Sequence, residues 1–169
     1  MRVAVDANVL MDEEDQEPDV LDALAVIRKR IARVQFVVTE TVTQEIAWLS
    51  ENGDSEHRRS LATGALMQLL RRGYTPLAMS PVERGIASEI SLKLRMKSIL
   101  PHEEENDATF LAEAALKGCD MLLTSDQHIL ESNQDTPKLW RVLEESHVQN
   151  HQILIARPRD IVRLYSLKR

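Results

Sequence analysis

The sequence predicts an α/β fold with a central parallel sheet. Short apolar runs rich in β-branched residues alternate with longer stretches whose apolar residues recur at helical spacing. The first run, Arg2–Val5, leads into a β-α-β order, which predicts parallel strands joined by right-handed crossovers. Two runs, at 2–5 and 121–124, end at or next to an aspartate, Asp6 and Asp126. Ligands of open parallel sheets bind beyond the carboxyl ends of the strands, so a site is expected at that edge.

Length and composition predict one globular domain over residues 1–169. A chain of 169 residues suits one core, and the 43% hydrophobic residues with only 4% aromatics predict an aliphatic interior. The net charge of -6 argues against a protein that coats nucleic acid through bulk charge. No apolar stretch approaches the ~20 residues of a membrane span. Without an apolar leader near Met1, a cytoplasmic location is expected. Cys119, as the single cysteine, excludes an intrachain disulfide and is interpreted as a buried apolar residue.

Apolar spacing and end signals predict the elements of the first half. Strands are expected at 2–5, at 35–38 and, on weak evidence, at 75–79; helices are expected at about 18–33, 39–50 and 55–72 and from Pro81 to just before Pro101. Pro18 suits the first turn of a helix. The acidic segment 12–19 is predicted to be a polar loop. Leu70 is expected to face the core with its helical neighbours.

In the second half, Asn106 is predicted to cap a helix that ends at Gly118 in the left-handed conformation. The remaining elements are expected to be a strand at 121–124, a short helix at 127–130, an insertion at 131–152 that contains a short helix, a strand at 152–156 and a helix from Pro158. This order completes an alternating α/β chain.

Acidic side chains are predicted to meet at one edge of the sheet. Asp6 and Asp126 follow strands, Asp107 begins a helix, and Glu45 lies in the helix after the second strand. Clustered carboxylates repel unless a positive charge lies among them, and a hard divalent cation such as Mg²⁺ or Mn²⁺ takes oxygen ligands. Such an ion activates water and stabilises charge on a phosphoryl oxygen. Each acid alone also has a structural explanation, as a helix cap or an exposed helix residue, so the set carries the prediction.

The residues resemble the motifs of PIN-domain ribonucleases. VAVDANVLMD is similar to the first motif of that family, VVTETVTQEI to the second, and NDATFLAEAALKGCDMLLTSD to the joined third and fourth, while ILIARPRDIVRLYSL resembles the last strand and helix. The matches are spread over nearly the whole chain. The segment 131–152 is longer than in compact members, and His128 stands where some members carry a further acid.

This resemblance implies a three-layer α/β/α fold with strand order 3-2-1-4-5 and Mg²⁺- or Mn²⁺-dependent hydrolysis of RNA. The acids Asp6, Asp107 and Asp126 would hold the metal, and Glu45 would complete the catalytic set. Supporting hydrogen bonds are expected from Asn8, Thr124 and Ser125. Many members are toxins of toxin–antitoxin pairs and are often dimeric, which implies an antitoxin protein and a second copy of the chain as partners. Arg157 and Arg159 are candidates to hold the RNA backbone, and 92–96 is a candidate dimer surface.

Three alternatives to a nuclease are compared with the pattern. A phosphatase of the haloacid dehalogenase type needs a second aspartate two residues after the first, and Asn8 occupies that position. A receiver domain is disfavoured because its acid pair and lysine are not placed here. The alternative to an enzyme is a catalytically inactive PIN-like module that binds RNA or protein.

Overall fold

The computed structural model describes residues 1–149 and 151–166 and contains the predicted parallel sheet. Its strands are β1 (Arg2–Val5), β2 (Gln35–Val38), β3 (Tyr74–Pro76), β4 (Met121–Leu123) and β5 (Leu154–Ala156). They are hydrogen-bonded in the order β3-β2-β1-β4-β5, and every neighbouring pair is parallel. The predicted α/β class and the strand order 3-2-1-4-5 are therefore confirmed.

Helices flank this sheet. They are α1 (Ala7–Glu14), α2 (Pro18–Arg30), α3 (Glu40–Asn52), α4 (Glu56–Gln68), α5 (Pro81–Met96), α6 (Glu105–Leu116), α7 (Gln127–Glu131), α8 (Thr136–Glu145) and α9 (Pro158–Ser166), with a short 3₁₀ turn at Ser132–Asp135. In the part of the chain that the structure describes, no helix is both long and apolar enough to cross a membrane.

Strand β1 lies at the centre of the sheet and fixes where the acids emerge. Val3, Ala4 and Val5 are fully buried, as expected for a strand covered on both faces. The parallel ladder extends one residue past β1, because the Asp6 N–H donates to the Leu123 carbonyl at 3.0 Å. Asp6 and Thr124 therefore leave the sheet side by side at the carboxyl ends of β1 and β4.

The prediction of a loop over 12–19 is wrong at its beginning, because helix α1 runs through Glu14. The carboxylate of Asp6 accepts the Ala7 N–H at 2.7 Å and starts this helix. Residues such as Leu10 and Met11 bury one face of it. Glu13 is buried too, so the acidic run does not lie wholly in solvent.

Buried Glu13 is held by partners from a distant part of the chain. The Tyr74 hydroxyl donates to its carboxylate at 2.7 Å, and an Arg72 nitrogen lies 3.4 Å from it. Arg72 also pairs with Glu14. Because a buried carboxylate needs hydrogen bonds and an opposite charge, this network stabilises α1 only when β3 and the turn before it are in place.

Removing the Tyr74 hydroxyl is expected to destabilise the protein. Tyr74→Phe deprives the buried Glu13 carboxylate of a charge-assisted hydrogen bond, which costs about 1.5–3 kcal/mol of unfolding free energy. Urea denaturation checks this value. Tyr165→Phe is the matched control, because the Tyr165 hydroxyl makes no hydrogen bond within residues 1–149 and 151–166. Equal unfolding midpoints for the two variants would show that the Glu13 network contributes no stability.

Several predicted boundaries shift by a few residues. The helix expected at 55–72 ends at Gln68, so Leu70 lies on the turn after it and its side chain is 74% exposed rather than inward-facing. Helix α6 begins at Glu105, which places Asn106 inside the first turn and not at the cap. Gly118 does take the predicted left-handed conformation, with φ of 67°. The strands expected at 75–79 and 152–156 are shorter than predicted.

The single-domain assignment and the insertion at 131–152 remain predictions. Within that segment the structure forms the 3₁₀ turn and α8, and α8 packs against α5. Residue 150 and residues 167–169 lie outside the described residues, so the end of the predicted insertion is incompletely described and the terminal basic residues Lys168 and Arg169 are not described.

Candidate metal centre

Asp6 is the most enclosed acid of the predicted set. Its carboxylate caps α1 and accepts a second hydrogen bond, at 2.6 Å, from the Thr124 hydroxyl. Burial raises the pKa of Asp6 to about 7, and the charges of Glu45 and Asp126 act in the same direction against those two hydrogen bonds. A nearby positive charge would therefore stabilise the ionised form of this carboxyl group.

Thr124 connects two of the acids. Its hydroxyl donates to Asp6, and the same oxygen accepts the backbone N–H of Asp126 at 2.9 Å. The Asp126 carboxylate in turn caps α7 by accepting the N–H groups of His128 and Ile129. This fully buried hydroxyl therefore fixes the relative position of the ends of β1 and β4.

Asp107 lies where the charges of the set converge. Burial, followed by the charges of Asp126, Asp6, Glu104 and Glu45, raises the pKa of Asp107 to about 8. Its Oδ2 atom is buried and has no hydrogen-bond partner within the described residues. Such an orphaned oxygen is unusual in a folded protein and indicates that a ligand completes it.

Glu45 reaches the same edge from α3. Burial raises its pKa, opposed by the charge of Arg58, and the Asp126 carboxylate raises it further. All the predicted acids therefore interact electrostatically at the carboxyl end of the sheet. The convergence follows from the fold, because β1 and β4 are neighbours in the sheet and α3, which carries Glu45, packs against α6, which carries Asp107.

Sequence analysis missed two neighbours of this cluster. One ligand atom from each of Glu104, Asp107 and His128 lies within 4.8 Å of the others. The His128 Nδ1 is 3.0 Å from a Glu104 oxygen and 4.0 Å from Asp126. The three glutamates at 103–105 are visible in the sequence. Only the position of the start of α6 shows that Glu104 is the one that lies beside Asp107.

The other predicted supporting residues have different placements. Asn8 is half-buried in the first turn of α1, and no hydrogen bond joins its side chain to the acids within residues 1–149 and 151–166. Ser125 is exposed and lines a cavity together with Asp12. Arg157 and Arg159 line the same cavity, whose volume is about 190 Å³. Ser125, Arg157 and Arg159 therefore lie beside the carboxyl edge of the sheet and outside the acid cluster.

The donor set fits a hard divalent cation. Most of its ligand atoms are carboxylate oxygens, and within the described part of the chain the Asp107 Oδ2 has no hydrogen-bond partner. Burial and mutual repulsion raise the pKa values of Asp6, Glu45 and Asp107. A ligand set made mainly of oxygen atoms suits Mg²⁺ or Mn²⁺, whereas zinc sites commonly contain sulfur and nitrogen ligands. The assignment of Asp6, Asp107 and Asp126 as the metal ligands remains a prediction.

Comparisons with known proteins identify the fold. No family model and no curated protein matches the sequence. The structure is similar to that of VapBC2 from Rickettsia felis bound to a DNA fragment from their promoter, with 13% identity, a TM-score of 0.56 and coverage of 93% of this chain and 98% of that one. It is also similar to VapBC-1 from nontypeable Haemophilus influenzae, with 13% identity, a TM-score of 0.56 and coverage of 80% and 94%. Because these matches cover most of both chains, the predicted PIN-like fold is confirmed.

Proposed function

We propose that the protein is an Mg²⁺- or Mn²⁺-dependent endoribonuclease. The observation that carries this proposal is the partly buried Asp107 carboxylate, whose Oδ2 atom has no hydrogen-bond partner among the described residues and lies among carboxylates that repel it. A bound divalent ion would supply charge neutralisation, a more acidic water and stabilisation of a phosphoryl oxygen. The motifs that contain Asp6, Glu45, Asp107 and Asp126 resemble those of PIN-domain ribonucleases. Together with the PIN-like fold, this resemblance supports RNA as the substrate.

The side chains have separate roles in this proposal. Asp6, Asp107 and Asp126 hold the metal, and the His128–Glu104 pair flanks Asp107 and orients it. Glu45 orients the attacking water and accepts its proton, a role that a carboxylate of raised pKa performs better at neutral pH. Arg95 lines a cavity of about 590 Å³ that His128 also borders, and its guanidinium is our candidate to contact the RNA backbone there.

The direct test is cleavage of a labelled RNA by the purified protein. Wild type is expected to cut with Mg²⁺ or Mn²⁺ and to stop in EDTA, with activity restored when excess metal is added. Asp6→Asn and Asp126→Asn are expected to be inactive, since each removes a charged ligand but retains a side chain that can cap its helix. Full activity in EDTA, or in both variants, would show that this mechanism is wrong and would favour a metal-independent or non-catalytic module.

Thr124 offers a test of positioning rather than of metal ligation. Thr124→Val keeps the shape of the side chain but removes the hydroxyl that joins Asp6 to the Asp126 backbone. We expect cleavage to fall about 10–100-fold, the usual effect of losing a hydrogen bond that orients a metal ligand. Thr124→Ser retains the hydroxyl and is expected to recover most of the activity. If valine and serine give equal rates, the hydroxyl does not position the carboxylates.

We further propose that the protein is the toxin of a toxin–antitoxin pair. The similar structure of VapBC2 is a complex bound to promoter DNA, which supports a DNA-binding antitoxin as partner here. A second copy of this chain is also proposed as a partner, because Leu92 and Met96 on α5 are 46% and 71% exposed. Co-expression with the product of a small adjacent gene tests the first partner, and sedimentation of the isolated chain tests the second.

A further inference from the structure

A second cavity opens beside the acid cluster, on the side of α3. Its volume is about 500 Å³, and Glu45 forms part of its wall. Thr41, Gln44, Glu45 and Trp48 lie on one stripe of α3, at spacings of three and four residues, and all four line the cavity. We call it the Trp48 cavity. It shares Glu45 with the acid cluster, so a ligand bound in it would lie next to the reacting group.

The side chain of Trp48 faces solvent and is not part of the core. Its side chain is 59% exposed, whereas Val42, Ile46 and Leu49 form the buried face of α3. The other tryptophan, Trp140, is half-buried and donates its indole N–H to the Ile153 carbonyl at 3.4 Å. The exposed indole is therefore available as a flat surface beside Glu45.

The rest of the Trp48 cavity offers neutral hydrogen-bonding groups. Amide side chains come from Gln44 and Asn106, and hydroxyls come from Thr41, Ser88 and Thr109. Among the described residues, the lining contains the carboxylates of Glu45 and Glu105 but no lysine or arginine, and the Glu105 carboxylate lies 3.8 Å from Arg95. Such a lining disfavours a phosphate group and suits an aromatic ligand with polar edges.

We propose that the Trp48 cavity binds an unpaired nucleobase of a single-stranded RNA, stacked on the Trp48 ring. This inference rests on the proposed ribonuclease function, since it places the base of a nucleotide that neighbours the scissile phosphate. Every base has a face that can stack on an aromatic side chain, and its edge can meet amides and hydroxyls. Bases paired within a duplex are stacked on one another and cannot offer that face. The cavity therefore selects single strands.

Binding is measured without cleavage, in the Asp126→Asn background. The probe is an unstructured RNA of about 12 nucleotides, within the range of single-strand site sizes, labelled at one end; its duplex with the complementary strand is the second probe. Trp48→Ala is expected to weaken binding of the single strand about tenfold, whereas Trp48→Phe keeps most of the affinity. Duplex binding is expected to be weak and the same in all variants. Met67→Ala, which truncates an exposed side chain on α4, is the matched control.

Tryptophan fluorescence gives a second readout. Titration with the single strand is expected to quench emission when Trp48 is present and to leave the signal of Trp140 unchanged in Trp48→Phe. Unchanged affinity in Trp48→Ala, or absence of quenching, would overturn the proposal and leave the exposed indole to a protein partner. If Trp48→Ala weakens binding but the wild type never cleaves RNA, the base site stands and the nuclease proposal fails. If Trp48→Ala retains full affinity for RNA and the wild type cleaves it, the base site fails and the nuclease proposal stands.

Discussion

Replacing Asp107 with asparagine is expected to abolish RNA cleavage and, at the same time, to raise the thermal stability of the metal-free protein. The carboxylate is partly buried among like charges, and its Oδ2 atom has no partner in the described residues. Asparagine has nearly the same shape but no charge, so the repulsion disappears while the helix α6 remains intact. Each kcal/mol gained raises the melting temperature of a domain of this size by about 2–4 °C.

The loss of cleavage is expected to exceed the 10–100-fold typical of residues that only orient a ligand. A gain in stability together with a loss of activity distinguishes a functional residue from a structural one. Replacing an acid that only caps a helix lowers the stability of the protein instead. Glu103→Gln is the control, since Glu103 is exposed in the same acidic run and is not part of the cluster. Lower stability of Asp107→Asn in EDTA would show that Asp107 supports the fold and not a metal.

The convergence of the acids was predictable because it depends on topology. Parallel strands end at one edge, and the apolar runs before Asp6 and Asp126 mark those ends without any knowledge of contacts. The motif resemblance then supplied the strand order that makes β1 and β4 neighbours. The mutual influence of Asp6, Glu45, Asp107 and Asp126 on one another follows from that arrangement.

What could not be predicted depends on contacts between distant segments. Helix α1 was hidden because an acidic run usually indicates a solvated loop, and only the fold brings Tyr74 and Arg72 to Glu13. Glu104 and His128 were missed for a similar reason, since their pairing joins the start of α6 to α7. Leu70 had the right spacing for the core, but the helix ends before it.

The exposed Trp48 shows the limit of periodicity in the other direction. Helical spacing identifies Val42, Ile46 and Leu49 as the inner face of α3, and it leaves Trp48 as an ordinary surface residue. Its significance comes from the cavity that α3 shares with α6, where it meets Glu45 and Asn106. A site of this kind is recognised only when two helices are placed side by side.

The stability of the protein is expected to fall with rising pH in the absence of metal and to depend much less on pH when a metal is bound. Burial, reinforced by neighbouring carboxylates, raises the pKa of Asp6 to about 7 and that of Asp107 to about 8, from an ordinary value of 3.8. Between about pH 4 and pH 8 the folded protein therefore keeps protons that the unfolded chain has released. In EDTA the melting temperature should fall as the pH rises through this window and level off above about pH 8.

Manganese is expected to remove most of that slope, because the metal-bound protein, like the unfolded chain, carries no protons on these carboxylates. Its ligands must be deprotonated, so Mn²⁺ competes with the protons on Asp6 and Asp107 and binds better as the pH rises. An ion present at 100 times its dissociation constant adds about 2.7 kcal/mol, or roughly 5–10 °C in this size range. Calorimetry at pH 5.5 and 8.5, with EDTA or Mn²⁺, checks both slopes. Asp107→Asn should make the EDTA profile shallower, with the contribution of Asp6 retained, and should lose the Mn²⁺ gain. An Mn²⁺ effect that is equal at both pH values would place the ion away from these carboxylates.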